Sequence, residues 1–256
     1  MLDALVSGKL SHEQENMEDV LTSAVFGSLK YVAPHEGLLR WLGEANTLEG
    51  ARPASAIPDP VYVEYQFWPR WYESGCVACE PDLALTIRVA DGSIWLVCIE
   101  AKYRSGKSSL AVDDAEAPND QLAREWDNLV CVSKRLSAKP VLVYVTADYT
   151  LPRHEIEDSI ADFRRTRPTH GNPVLAWLPW RSIPRLFNNH SSPMLADLAR
   201  LARRLDLTFF EGVNMHDEVY AQTWTFDFAA KAVYGGDSFA WALDENMCHI
   251  AWRFSE

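Results

Sequence analysis

Two charged residues end an apolar run near the middle of the chain. Glu100 and Lys102 close a segment that begins with the five apolar residues Trp-Leu-Val-Cys-Ile at positions 95–99. Side chains two residues apart in a β-strand point to the same side, so this run predicts a carboxylate and an ammonium on one face. Burying both charges costs free energy unless they pair with each other or bind an ion.

A third charged residue, Asp82, stands just before a second β-rich run at residues 83–89, and a turn ending at Gly92 separates the two runs. A three-residue loop with Gly92 in the left-handed conformation places Asp82 opposite Glu100, whereas a two-residue turn shifts the pairing by one residue. Only the three-residue loop sets apolar residues opposite one another, and a slip would turn one apolar set to the other face. We therefore expect Asp82 opposite Glu100, with Lys102 on their face.

Directly opposed carboxylates repel each other, and a cation between them removes that repulsion. Two carboxylates, a backbone carbonyl such as that of Ala101, and water form a ligand set that suits Mg²⁺ or Mn²⁺. A lysine beside the ion, here Lys102, can position or deprotonate an attacking water and stabilise a phosphate in the transition state. The alternative is a salt bridge among Asp82, Glu100 and Lys102 at the sheet edge, without an ion.

Pro81-Asp82 and Glu100-Ala101-Lys102 resemble the signature of the PD-(D/E)xK nuclease superfamily, whose members have the restriction-endonuclease-like fold. The resemblance covers residues 11–180 and includes the hairpin between the two motifs, a helix before it, and a helix and a strand after it. It implies a metal-dependent endonuclease that hydrolyses phosphodiester bonds, most readily those of double-stranded DNA. It also implies Mg²⁺ or Mn²⁺ as the cofactor.

The resemblance assigns roles to further residues. It implies a metal held by Asp82, Glu100, the Ala101 carbonyl and Glu18. Glu18 is the best match for a glutamate on the first helix of the family, and Glu15 is the alternative. Lys102 would position the attacking water. Gln121 matches a glutamine that many members carry on the helix after the lysine, although the tyrosine that follows it in the family is absent here.

The charge of the chain bears on its partner. It carries 36 acidic and 24 basic residues, a net charge of −12, which by itself argues against binding phosphates. Residues 164–204, however, contain eight arginines and one acid, Asp197. These arginines predict contacts with a phosphate backbone; the alternative is a solvated helical face whose acidic partners lie elsewhere. The predicted nucleic-acid-binding residues are Arg104, Lys107, Arg164, Arg165, Arg203 and Arg204.

The surrounding elements must position these residues. Apolar periodicity predicts helices over 13–31, 37–42, 118–137, 152–165 and 193–205, and strands over 61–67, 83–89, 93–101, 140–146 and 174–178. Their order predicts an α/β fold with a mixed central β-sheet flanked by helices on both faces. The run Val-Leu-Val-Tyr-Val-Thr at 141–146 is typical of a strand buried on both sides.

The last part of the chain differs in composition. Alternating aromatic residues at 223–228 and 248–254 predict a small aromatic β-rich element. We therefore predict two parts, a nuclease-like core at residues 11–205 and a C-terminal β-rich appendage at residues 206–256, packed on or near the core.

Composition narrows the class of protein. The hydrophobic fraction of 48% is that of a globular protein, and no run reaches the roughly 18 apolar residues that a membrane span requires. The start of the chain lacks a signal-peptide pattern, and five cysteines do not form a disulfide framework in a chain of this length. We expect a cytoplasmic protein without membrane contact, whose hold on DNA a second copy or a partner subunit would strengthen.

The resemblance associates such nucleases with restriction, phage defence or repair. Two other functions stay open from the sequence. One is a catalytically silent nucleic-acid- or protein-binding module that retains the nuclease fold, which the acidic composition favours. The other is a nuclease that acts on RNA.

Overall fold

The chain divides into two units, residues 1–209 and residues 210–256. The structure is a computed structural model that describes residues 18–209, 221–225, 233–236, 241–243 and 250–255.

The first unit is built on a five-stranded sheet. Side by side in chain order, its strands are β1 (Pro60–Phe67), β2 (Leu83–Val89), β3 (Ile94–Ala101), β4 (Lys139–Thr146) and β5 (Leu175–Pro179). The first three strands pair antiparallel, whereas β4 runs parallel to both β3 and β5. The prediction of a mixed sheet is therefore confirmed.

The hairpin of β2 and β3 has the predicted register. The paired residues are Leu83 with Ile99, Leu85 with Val97, and Ile87 with Trp95. Gly92 has a φ of +85°, the left-handed conformation that the loop requires and that glycine adopts without steric cost. The two strands consequently bring the residues before β2 and at the end of β3 to the same edge of the sheet.

Seven helical segments lie in the described part of the first unit. They are α1 (Glu18–Leu29), α2 (Leu38–Leu42), a 3₁₀ turn (Pro53–Ala56), α3 (Gln121–Leu136), α4 (Arg153–Thr166), α5 (Ser182–Phe187) and α6 (Pro193–Arg204). The predicted helix over 13–31 is described only from Glu18 onward. Helix α3 begins at Gln121 rather than at residue 118, because the Asp120 carboxylate accepts the Leu122 N–H (3.0 Å) and caps the helix there.

The helices cover both faces of the sheet, as predicted. Helices α1, α2, α5 and α6 contribute to one hydrophobic core, and α3 and α4 contribute to the other. Strand β4 separates the two cores, because Val141, Val143 and Val145 face the first core while Leu142 and Tyr144 face the second. Helix α5 was not predicted, since its six residues are too few to show a helical period.

In the second unit the backbone forms four antiparallel strands. They are β6 (Ala221–Thr225), β7 (Val233–Gly236), β8 (Trp241–Leu243) and β9 (Ile250–Ser255), in the order β7-β6-β9-β8. Parts of the two aromatic segments, residues 226–228 and 248–249, lie outside the described residues, so an aromatic element there stays a prediction. Within the described ranges, no helix is both long and apolar enough to cross a bilayer.

Candidate active site

The hairpin of β2 and β3 holds two buried carboxylates at one edge of the sheet. Asp82 directly precedes β2 and is 8% exposed, and Glu100 is the penultimate residue of β3 and is 2% exposed. One Asp82 oxygen accepts the backbone N–H of Ala101 at 2.8 Å. The Asp82 carbonyl accepts the N–H of Trp68 at 2.9 Å, which ties the end of β1 to the same place.

The Lys102 ammonium lies between two carboxylates. Its Nζ donates to Glu100 Oε1 at 2.6 Å and to Glu18 Oε1 at 3.1 Å. The backbone of Lys102 is fixed as well, because its N–H donates to Val145 on β4 (2.7 Å) and its carbonyl accepts the Trp180 indole N–H (3.2 Å). The ammonium is therefore held in one position by main chain and side chain together.

Glu18, at the start of α1, completes this side of the cluster. Besides the Lys102 contact, its other oxygen accepts the Tyr103 N–H at 2.8 Å and the Ser105 hydroxyl at 2.6 Å. Of the two glutamates considered for this position, Glu18 reaches the site, and Glu15 lies outside the described residues.

Helix α3 adds two polar side chains on one of its faces. Gln121 donates its amide to Glu100 Oε1, and its amide oxygen accepts the Ser108 N–H at 2.7 Å. Glu125, one turn further along, is 1% exposed and lies close enough to Glu100 for the charge of Glu100 to raise its pKa. The second oxygen of Glu125 has no partner among the described residues.

Glu125 was missed in the sequence. The available signal was its spacing: residues four apart in a helix share a face, and Glu125 stands four residues after Gln121 on a helix whose neighbouring positions Leu122, Trp126 and Leu129 are apolar. An acid on the buried side of an amphipathic helix is costly without a partner, and the charged group whose effect on Glu125 is greatest is Glu100, a second acid.

The cluster contains more carboxyl groups than its single ammonium can compensate. Burial, followed by the charge of Glu100, raises the pKa of Asp82 to about 7. Burial also raises the pKa of Glu100 against the opposing effect of Lys102, and burial with the charge of Glu100 raises the pKa of Glu125 well above its usual value. Burial lowers the pKa of Lys102, but Glu100 and Glu18 together outweigh that effect and raise it.

The donor atoms of this cluster are of the type that a hard divalent cation prefers. Asp82, Glu100 and Glu18 have carboxylate oxygens, and Glu125 has one without a partner among the described residues; Mg²⁺ and Mn²⁺ prefer such oxygens. No three His, Cys, Asp or Glu side chains in the described ranges are arranged as a ready ligand set. The Lys102 ammonium takes the position between Glu18 and Glu100, so binding would require it to move aside.

Two recesses adjoin the cluster. One of about 310 Å³ is lined by Lys102, Arg104 and Ser105, among others. The other, of about 390 Å³, is lined by residues that include Arg70, Tyr72, Arg124, Gln121 and Glu125. Each recess therefore shares residues with the carboxylate cluster and also presents arginine.

The two basic residues predicted just after the site differ in their surroundings. Arg104 is exposed, and its guanidinium lies 5.1 Å from the centre of the Tyr103 ring. The Lys107 side chain is 2% exposed. Its ammonium donates to the Asp120 carboxylate, to the Glu155 carbonyl (3.0 Å) and to the Ser159 hydroxyl (3.1 Å). The structure thus gives Lys107 a role within the fold, where it is not presented to a phosphate.

Most arginines of residues 164–204 already donate to acceptors of the protein. Arg165 binds the carbonyls of Val112 and Ala115 and the Asp162 carboxylate, which braces the loop ahead of α3. The other contacts pair Arg164 with Asn172, Arg167 with Asp127, Arg181 with the carbonyls of Ala147, Asp206 and Thr208, Arg185 with Glu44, Arg200 with Asp197, and Arg203 with Asn188. Arg204 is exposed in the last turn of α6. Phosphate binding by Arg164, Arg165, Arg203 and Arg204 stays a prediction, and the first three of these already donate to acceptors of the protein.

The structure therefore brings Asp82, Glu100, Lys102, Glu18 and Gln121 together at one edge of the sheet and adds Glu125 to them. Comparison of the chain with family models, with curated proteins and with solved structures finds no significant match.

Proposed function

We propose that the protein is a metal-dependent nuclease that hydrolyses phosphodiester bonds, and that it is an endonuclease acting on double-stranded DNA. The observation that carries the proposal is the crowding of four carboxyl groups, three of them buried (Asp82, Glu100 and Glu125) and one partly exposed (Glu18), around the one ammonium of Lys102. Such an arrangement is costly for a metal-free fold, and pKa values perturbed by burial and by neighbouring charge are typical of functional sites.

Each residue has a definite part in this proposal. Asp82, Glu100, Glu18 and the Ala101 carbonyl would hold Mg²⁺ or Mn²⁺. A bound ion of this kind supplies a Lewis acid that stabilises the charge of the reacting phosphate. Lys102 would orient the attacking water. Gln121 fixes the Glu100 carboxylate through its amide, because its own oxygen is held by Ser108.

The recesses beside the cluster support a substrate path. Arg104 lines one recess, while Arg70 and Arg124 line the other. In this proposal these guanidinium groups, rather than Lys107, would contact phosphates next to the one that is cleaved. The proposal therefore relies on arginines that adjoin the site.

One observation favours a second candidate, a catalytically silent binding module. Lys102 already pairs with Glu18 and with Glu100, and such a closed ion pair can persist without a metal. Nothing in the described carboxylate cluster distinguishes DNA from RNA. The experiment therefore compares DNA and RNA as substrates.

The experiment is cleavage of a supercoiled plasmid, a labelled duplex and a labelled RNA, each with Mg²⁺, Mn²⁺ or EDTA. The wild-type protein is compared with Lys102→Ala and Asp82→Asn, and Lys30→Ala is the matched control because Lys30 is an exposed lysine. We expect cleavage by the wild type and by Lys30→Ala only with a divalent ion, and at least about a hundredfold loss in both site variants. Binding without cleavage of any substrate would identify the silent module, and cleavage of RNA alone would replace DNA as the substrate.

A further inference from the structure

A cavity of about 920 Å³ opens at the end of the sheet opposite the candidate active site. It is lined at the starts of β3 and β4 by Trp95, Lys139 and Pro140, and by Trp126 and Val130 of α3. None of the carboxylates or the lysine of the candidate active site lines it. Its volume falls within the range of about 300–1,000 Å³ that small-molecule sites occupy.

The lining of this cavity is apolar with a basic component. Three of its side chains, those of Lys134, Lys139 and His170, are cationic or can become so, and none of the described residues that line it is acidic. This contrasts with a chain whose net charge is −12. Lys139 lies over the Trp95 ring, with its Nζ 4.9 Å from the ring centre. The cavity is therefore complementary to a ligand that is apolar and negatively charged.

Two hydrogen-bond donors of the lining residues are unused. The indole nitrogens of Trp95 and Trp126 are buried and have no acceptor among the described residues. Trp126 is only 3% exposed, and a buried indole N–H usually has a partner. Both nitrogens lie beneath the accessible surface, so the two indole rings contribute apolar area to the cavity and no accessible hydrogen-bond donor.

We propose that this cavity binds an apolar small molecule that carries one anionic group, such as an aromatic carboxylate or sulfonate. The apolar body lies against Trp95, Trp126 and Val130, and the anion lies towards Lys134 and Lys139. This site shares no residue with the carboxylate cluster. The proposal of a ligand here therefore does not depend on the proposed nuclease activity.

The test uses two probes of the same shape, naphthalene-2-sulfonate and the neutral naphthalene-2-methanol, titrated into the full chain by calorimetry. The variants are Lys134→Gln/Lys139→Gln, with Lys30→Gln as the control. Lys30, like Lys139, is an exposed lysine over aromatic rings (4.6 Å from the centre of Phe67). Because the substituted lysines are exposed, we expect all variants to melt as the wild type does.

We expect one sulfonate to bind per chain, about five- to tenfold more tightly than the neutral probe. The double variant should lose this preference, and Lys30→Gln should keep it. Equal binding of both probes, or an unchanged preference in the double variant, would overturn the proposed anion. Absence of any binding, or binding that accompanies self-association, would overturn the proposal.

Discussion

Two buried lysines stand five positions apart in this chain, and their surroundings differ in the balance of charge. Lys107 faces one carboxylate, that of Asp120, together with a carbonyl and a hydroxyl. Lys102 faces Glu18 and Glu100 directly, with Asp82 and Glu125 close to Glu100. The first group is balanced and needs nothing more. The second has an excess of acid and an oxygen without a partner among the described residues, and on this difference rests the proposal that the second group binds a ligand.

The largest expected effect separates the two lysines by their contribution to stability. Lys107→Met leaves the buried Asp120 carboxylate without its cation, and we expect a loss of about 3–5 kcal/mol in the free energy of unfolding. Lys102→Met should cost less than half of that, because the carboxyl groups around it already have raised pKa values and can take up protons. Urea denaturation at pH 7 measures both. Equal losses of stability in Lys107→Met and Lys102→Met would mean that the two lysines have the same structural role.

The pH dependence of the free energy of unfolding, measured on the metal-free protein, tests whether the cluster has an excess of acid. Burial raises the pKa of Asp82 to about 7 in the folded protein, against about 3.9 in an unfolded chain. The folded state therefore holds this proton more tightly, so Asp82 should make the free energy of unfolding fall as the pH rises from about 4 to about 7, by about 4 kcal/mol at most.

Asp82→Asn should flatten this dependence, and Asp59→Asn, at an exposed position ahead of β1, should leave it unchanged. Denaturation curves in EDTA across this pH range provide the measurement. A stability that rises over the same range in the wild type would mean that Asp82 is ionised at low pH in the folded state.

The smallest expected change in the free energy of unfolding concerns two acids on the same helix, Asp127 and Glu125. Asp127 is buried and pairs with Arg167 at 2.8 Å, whereas Glu125 faces Glu100. We expect Asp127→Asn to lower the free energy of unfolding by about 1–3 kcal/mol. Glu125→Gln should raise it by about 1 kcal/mol without metal, because its amide can donate to Glu100 and one acid leaves the cluster. Thermal melting in EDTA compares the two, and a loss in both would indicate that Glu125 is a balanced structural acid.

Local sequence patterns were sufficient to predict the strands of the sheet and the charged residues at the ends of β2 and β3. The hairpin register followed from matching the apolar faces of residues 83–89 and 93–101, and Gly92 has the backbone conformation that this register needs. The two-sided burial of β4 followed from its continuous apolar run. These features depend on residues that are near in sequence or on one hairpin partner. They could therefore be predicted from the sequence.

Tertiary contacts decided what the sequence could not show. The role of Lys107 depends on Asp120 and on Ser159 of α4, and no sequence spacing relates these residues. The place of Glu125 in the cluster depends on Glu100, which lies on a strand distant from it in sequence. The arginines of residues 164–204 form a basic segment along the chain, but the fold distributes them among separate acceptors on different elements.

The central claim is that the carboxylate cluster around Lys102 binds a divalent cation. Titration of Mn²⁺ into the protein, followed by electron paramagnetic resonance, measures this directly, because free and bound Mn²⁺ are counted separately. We expect the wild type and Asp59→Asn to bind Mn²⁺ that Mg²⁺ displaces, and Asp82→Asn to bind it at least about tenfold more weakly. Equal Mn²⁺ affinity in the wild type and in Asp82→Asn, or no binding by either, would contradict the account.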